Sequence, residues 1–316
     1  MSNSPRILVM GAGSIGTRHI GNLVGLGARV EFVDPAATRG SALLATSTAK
    51  EVSDPSPDDY DGIVIATPNS MHREQLGWAL SGPAVVLVEK PMVTSTSELD
   101  SAILSHTDRI LVGYNLRFHT GYGELRRRLL RGDIGRPVAA RLWFGSYLPD
   151  WRPTIDYRES YSARCDLGGG VLRDASHGLD LAAWFFGQPL NVASAWMGRV
   201  GDLEIDVEDT VRTVLETAVG IPVSIDLDYL SRTYRRGMEI IGTEGTAGFD
   251  WPLRSVSVER PGTTDIFDVT DGVDESYIRL AEAFLARIRG ERNDVAADGM
   301  DGRHAVQLAE SIEERS

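Results

Sequence analysis

"RILVMGAGSIGTRHI", residues 6–20, runs from an apolar segment through a glycine-rich turn into a stretch with helical spacing. Gly11, Gly13 and Gly16 stand in G-x-G-x-x-G order. In that order the first glycine permits a tight turn, the second lets the backbone approach a pyrophosphate, and the third lets a helix pack closely on a strand. The free N–H groups and positive dipole end of the following helix suit phosphate oxygens. Gly11, Gly13, Ser14, Ile15 and Gly16 are therefore expected to line a dinucleotide site. Taken alone, the same glycines also describe an ordinary turn.

The surrounding chain decides between these readings. Apolar runs recur at "RVEFVD" (29–34), "GIVIAT" (62–67), "AVVLVEK" (84–90) and "RILVGYN" (109–115). Strands buried on both faces read as continuous Val/Ile/Leu runs, and the intervening lengths suit βα crossovers. A doubly wound parallel sheet is expected. The second run ends at Asp34, where such a site calls for an acidic side chain to accept from a ribose 2′-hydroxyl. A carboxylate repels a 2′-phosphate and so favours NAD, although Arg39 nearby keeps NADP open. The third run leads into Thr67, Pro68, Asn69 and His72, expected at the carboxyl edge of the sheet facing the cofactor. The fourth ends in Glu89, Lys90 and Pro91, and a lysine at the end of so apolar a strand needs work or a partner.

Beyond "VGYNLRFH" the texture changes. An Arg-rich helix is expected over 123–135, its Arg126, Arg127, Arg128 and Arg131 forming a solvated face. Residues 223–229 alternate Val, Ile, Leu and Tyr with Ser, Asp and Asp, as in an antiparallel strand with one wet face. Two helices are expected near the C-terminus, at 274–290 and 298–316. The reading divides the chain into a nucleotide-binding domain, 1–118, and an α+β domain, 119–316.

The second domain carries "GGGVLRDASHGLDLAAWFFG", residues 168–187. On a single helix Val171, Leu172, Ala175, Leu179, Ala182, Ala183 and Phe186 form one apolar stripe, with His177 and Asp180 opposite. Asp174 and His177 would then be neighbours one turn apart, able to pair. Amphipathicity alone leaves open whether their face meets water or a ligand. Before this helix lies the polar and aromatic segment 145–166, with Tyr147, Trp151, Arg152, Tyr157, Arg158 and Arg164 suited to a sugar, base or phosphate.

Composition narrows the classes. With 45 acidic against 32 basic residues the formal net charge is -13, which argues against nucleic-acid or anionic-membrane partners. One cysteine, Cys165, excludes an intramolecular disulfide and a thiolate metal cluster. A cytoplasmic protein without a metal is expected.

The Gly-rich turn, "TPNSMH", "EKP" and "GGGVLRDASHGLD", taken in that order, resemble the Gfo/Idh/MocA family of oxidoreductases. The resemblance implies a Rossmann domain followed by an α+β domain with a large, mainly antiparallel open sheet used for dimer or tetramer contacts. It implies NAD(P)-linked redox chemistry on a sugar, polyol or nucleotide sugar. By the same resemblance Lys90 contacts the reacting oxygen and the nicotinamide ribose, Asp174 binds substrate, and His177 moves the proton. Asn115 and Arg117 match the inter-domain segment, with Asn115 expected at the cofactor and Arg117 at the substrate alongside Trp151, Arg152 and Tyr157. The Asp174–His177 spacing is three residues where most members have four, which marks a subgroup. Two alternatives share the scaffold: an NAD-dependent glycoside hydrolase and a dinucleotide-binding sensor without turnover.

Overall fold

A computed structural model of the protein describes residues 4–35, 48–151, 156–187 and 189–316. Arg39 and Arg152 lie outside the described residues. The helices are α1 (Ser14–Gly25), α2 (His72–Leu80), α3 (Ser101–Leu104), α4 (Thr120–Leu130), α5 (Val171–Asp174), α6 (His177–Phe186), α7 (Val273–Ile288) and α8 (Gly299–Arg315).

The apolar runs of the first third pair as a six-stranded parallel sheet: β1 (Arg6–Met10), β2 (Arg29–Val33), β3 (Lys50–Glu51), β4 (Gly62–Ile65), β5 (Val85–Val88) and β6 (Ile110–Val112). Their order is β3-β2-β1-β4-β5-β6, the doubly wound arrangement in which ligands gather where the order reverses beside β1. β4 is buried at every residue, as a strand covered on both faces must be. Only β3 was not anticipated from the sequence, because two exposed residues carry no apolar signal.

Residues 119–316 do not form one contiguous domain. The first compact unit comprises 1–118 together with 273–306, and the second 119–272 with 307–316. The physical reason is the apolar face of α7, whose Leu280, Ala281 and Phe284 share a core with Ile7, Val9, Ile20 and Phe32. Gly62 has no side chain because a Cβ there would lie 2.7 Å from the Phe284 ring.

The second unit is built on an eight-stranded sheet of β7 (Pro137–Gly145), β8 (Leu190–Gly198), β9 (Thr210–Thr217), β10 (Pro222–Asp228), β11 (Arg235–Gly242), β12 (Thr246–Asp250), β13 (Ser255–Arg260) and β14 (Thr263–Asp268). The order is β14-β13-β12-β11-β7-β10-β9-β8, antiparallel throughout except for the central β7–β10 pair. Alternation sorts its faces. Leu142, Phe144, Val223, Ile225, Leu227 and Met238 are buried, whereas Trp143, Arg141, Arg212, Asp226 and Glu239 stand on the other side. Salt bridges Arg141–Glu239 and Arg212–Asp226 cross that open face.

Two of the four arginines expected on a solvated face, both in α4, are not solvated as the charge pattern suggested. Arg126 lies 4.7 Å over the Trp184 ring, and Arg128 lies 3.7 Å over Phe267 while pairing with Glu124 and Asp133. Their long stems cover apolar surface that would otherwise be wet.

Phe284→Ala is expected to cost about 3–5 kcal/mol, the range for truncating a fully buried phenylalanine. Denaturant unfolding should show this loss although residue 284 lies far along the chain from β1.

Candidate active site

In the first unit the glycine turn follows β1 directly. Gly11 has φ +90°, and a Cβ on it would sit 2.7 Å from the Ala66 carbonyl oxygen; one on Gly16 would sit 1.9 Å from the oxygen of Gly11. Gly13 differs. Its φ of -68° suits any residue, and a Cβ there meets nothing within 4 Å. The fold has no need of glycine at position 13, so the open space above it at the head of α1 fits a group brought against the backbone. No side chain caps that helix start, which leaves its N–H groups for an anion. Ser14 and Ile15 form the first turn of α1. Asp34, buried at the end of β2, accepts from the Ala12 N–H at 2.6 Å and so fixes the turn from the side.

The strands that follow deliver Thr67, Pro68 and Asn69 after β4, and Glu89 and Lys90 after β5. Thr67 Oγ1 donates to Gln75 Oε1 at 2.6 Å. Pro68 is exposed and Asn69 buried. His72, expected to face the cofactor, is instead fully buried. Its ring nitrogens lie 2.8 Å from the Pro91 carbonyl and 3.1 Å from that of Thr67. Burial pushes its pKa down, against the two carbonyls, which favour the charged ring. Lys90 is half-buried, ahead of a cis bond to Pro91.

Glu89 is held by a residue whose role the sequence left unmarked. His19 Nε2, fully buried on α1, lies 2.8 Å from Glu89 Oε1, while Glu89 Oε2 accepts from the Lys90 N–H at 3.3 Å. The helix that begins at the glycine turn is thereby tied to the loop that carries Lys90. Three residues after Gly16, the histidine faces the same side of α1 as the motif, the signal that could have found it.

Asn115 and Arg117 have partners within the first unit. Asn115 Nδ2 donates to Ser276 Oγ at 2.7 Å, and the buried Arg117 pairs with Asp301 at 3.1 Å. Both side chains anchor the returning C-terminal helices.

In the second unit the expected single helix is two. α5 ends at Asp174, Ala175 leaves the helical region at φ -96° and ψ 20°, and α6 starts at His177. Asp174 and His177 therefore lie at the end of one helix and the head of the next. Asp180, placed on a polar face by the helical wheel, is buried along with most of α6, while Phe186 is only half-buried. Gly178 allows the first turn of α6 to lie on β10, where a Cβ would come 3.2 Å from Ile225.

Tyr229, just past β10, donates to Asp174 Oδ2 at 2.6 Å and is fully buried. Burial and the neighbouring Asp174 carboxylate push the phenol well above its ordinary pKa, so it stays a donor. In the sequence Tyr229 showed only as the last inward position of an alternating strand. Glu208 secures the other end of α5: its Oε1 accepts from the Leu172 N–H at 2.9 Å. Gly170, with φ +106°, makes room, since a Cβ there would lie 2.4 Å from that oxygen.

Several side chains of the expected substrate segment have partners within the chain. Trp151 Nε1 donates to Ser146 Oγ at 2.8 Å, and Tyr157 OH accepts from the Glu204 N–H at 3.1 Å. Arg158 is paired with Asp156 and Glu204, and Arg164 with Asp166. Among the described residues no group of three or more His, Cys, Asp or Glu could hold a metal ion.

Comparison with known proteins matches both halves. Residues 5–109 fit the oxidoreductase family model with an NAD-binding Rossmann fold, and residues 122–248 the GFO/IDH/MocA C-terminal domain. A candidate UDP-kanosamine synthase oxidoreductase subunit of Amycolatopsis mediterranei is 30% identical over 86% of this chain and 80% of its own. The chain belongs to the Gfo/Idh/MocA oxidoreductase family. Another relative, 1,5-anhydro-D-fructose reductase of Ensifer adhaerens, is 28% identical over 86% of this chain and 84% of that one. Among solved structures, an oxidoreductase from Agrobacterium radiobacter in complex with NAD+, L-tartaric acid and magnesium superposes with a TM-score of 0.86. It covers 99% of this chain and 96% of its own at 20% identity, which establishes the shared fold. In the Gfo/Idh/MocA frame, the glycine turn and Lys90 lie in the segment matched by the Rossmann model, and Asp174 and His177 in the C-terminal one.

Burial pushes the Glu208 carboxyl up, partly offset by its bond from Leu172. A carboxyl raised in the fold binds its proton more tightly folded than unfolded, so stability falls as pH rises from the ordinary carboxylate range through the raised value. Glu208→Gln keeps an acceptor for Leu172 and removes the buried charge. Its Tm is expected to exceed that of the wild type at about pH 8, the difference shrinking toward about pH 5; a constant difference would contradict this.

Proposed function

We propose that the protein is an NAD(P)-dependent dehydrogenase or reductase acting on a hydroxyl-bearing carbon of a sugar, polyol or nucleotide sugar. The observation that carries the reading is Gly13, a glycine the backbone does not need, beneath open space at an uncapped helix start. Gly11, Gly13, Ser14, Ile15 and Gly16 would hold the pyrophosphate against backbone N–H groups. Asp34 beside the turn favours the unphosphorylated ribose of NAD. Thr67, Pro68, Asn69 and Glu89 line or support the same loops.

When bound, the nicotinamide supplies the two-electron redox chemistry. The chain's own groups handle the substrate and its proton. In this reading the Lys90 ammonium holds the reacting oxygen and stabilises negative charge on it. Asp174, one oxygen fixed by Tyr229, orients a substrate hydroxyl, and the His177 imidazole takes or returns the hydroxyl proton. Trp151 contributes an apolar wall next to Tyr229, their rings 5.3 Å apart. The names of the two relatives support a sugar-type substrate.

The reading extends to assembly and location. The open face of the eight-stranded sheet exposes Trp196, Ile241 and Ile266 among its salt bridges, a mixed surface suited to a homodimer or homotetramer. Among the described residues no helix is long and apolar enough to cross a membrane. A single, exposed cysteine fits the reducing cytoplasm.

Screening sugars, polyols and nucleotide sugars by NAD(P)H absorbance tests the activity. Lys90→Met and His177→Ala are each expected to lower turnover by about 10²-fold or more, the usual scale of acid–base catalysis. Gly13→Val should fold normally yet lose NADH binding. Wild-type turnover in both catalytic variants would overturn the assignment, and unchanged activity in all three would favour neither catalysis nor this nucleotide site. For assembly, Trp196→Glu combined with Ile266→Lys should shift the particle mass measured by light scattering to that of a monomer.

A further inference from the structure

The substrate arginines expected from the sequence at 158 and 164 are neutralised by carboxylates, whereas Arg232 and Arg236 are among the arginines of the same unit that are not. Arg232 and Arg236 have no carboxylate within ion-pair distance among the described residues, in a chain of net charge -13. Each lies over aromatic rings. Arg232 lies 3.6 Å over Tyr147, and Arg236 lies 4.6 Å over Phe144 and 5.5 Å over Trp251.

A guanidinium held over aromatic rings rather than against a carboxylate keeps N–H donors for a ligand, and its planar fork matches phosphoryl oxygens two at a time. The ring contact also restrains a long side chain that would otherwise lose entropy on binding.

The placement is equally specific. β7 and β10 run parallel, and beyond their carboxyl ends Ser146 and Leu148 donate backbone bonds to Asp228 and Tyr229. Tyr147, Trp151, Tyr229 and Arg232 are thus gathered at one end of the sheet. Arg236 faces Phe144 in the β11–β7 register, on the same buried side of the sheet as Leu142 and Met238. A run of ring contacts leads from the Asp174 carboxylate to Arg236: Tyr229 to Trp151 at 5.3 Å, Trp151 to Phe144 at 5.8 Å, then Arg236 over Phe144.

We propose that Arg232 and Arg236 bind a phosphoryl group of the substrate, set apart from the reacting carbon, so that the substrate is a phosphate-bearing sugar rather than a neutral polyol. The proposal rests on the dehydrogenase reading for what happens at that carbon. The phosphoryl group belongs either to a sugar phosphate or to a nucleoside-diphosphate sugar, whose base the exposed Tyr234 ring beside Arg236 would accept.

Calorimetric titration of the full chain with inorganic pyrophosphate, glucose 1-phosphate, UDP and myo-inositol, in excess NADH to fill the first unit's nucleotide site, tests it. Phosphate-bearing probes should bind the wild type. Arg232→Gln and Arg236→Met should each weaken them roughly tenfold or more, the scale of a lost hydrogen bond to a charged group, without changing Tm. UDP binding tighter than pyrophosphate assigns a nucleoside-diphosphate sugar; glucose 1-phosphate binding at least as well as UDP assigns a sugar phosphate. No binding by any phosphate-bearing probe, or equal binding by wild type and both variants, overturns the proposal. So does turnover of a neutral polyol with the same kcat/KM in wild type and both variants, which leaves the dehydrogenase reading standing. Arginine-dependent binding without redox turnover of any sugar would do the reverse.

Discussion

A carboxylate at the end of a buried strand has to be satisfied by hydrogen bonds, because leaving it unpaired away from water costs more than most single contacts return. Glu89 is that carboxylate, only 7% exposed. One oxygen meets His19 on α1 and the other meets the Lys90 backbone, while Gly113 at the end of β6 leaves it room. Three elements converge on one side chain. The head of α1, which shapes the nucleotide turn, and the loop that presents Lys90 are thereby placed with respect to each other within the first unit. His72 repeats the device one strand over, joining the Thr67 and Pro91 loops through its ring.

The second unit solves a similar problem with the backbone of a broken helix. α5 is four residues long, too short to hold itself in water. It is pinned at its start by Glu208 and at its end by Tyr229 on Asp174. Arg173, midway, pairs with Glu313 on α8 at 2.7 Å. The break after Asp174 gives its carboxylate and the His177 ring separate backbone supports, so neither depends on an i,i+3 relation for its direction.

Much of this was legible in the chain itself. Strands covered on both faces spell themselves as apolar runs, and the β1–turn–α1 unit follows from glycine spacing and sterics, as the 1.9 Å clash at Gly16 shows. Alternation over 223–229 placed Tyr229 inward correctly. It said nothing of what the hydroxyl would meet, because Asp174 lies 55 residues away in sequence. Nor did it show which partners other polar side chains would find. Arg158 and Arg164 found carboxylates two residues along the chain, and Asn115 and Arg117 found Ser276 and Asp301 on helices that return from the far end.

The sequence by itself therefore determined the local chemistry: which segments are strands, where a phosphate can approach a helix start, and which strand end carries a lysine. These follow from periodicity, backbone sterics and burial, all properties of neighbouring residues. Tertiary structure alone decided that α7 completes the first unit's core, that the helix at 171–186 breaks between Asp174 and His177, and which arginines lie over aromatic rings rather than beside a carboxylate among the described residues. Those outcomes depend on which distant groups compete for the same apolar surface or the same hydrogen bond. That competition is settled only when the chain has folded.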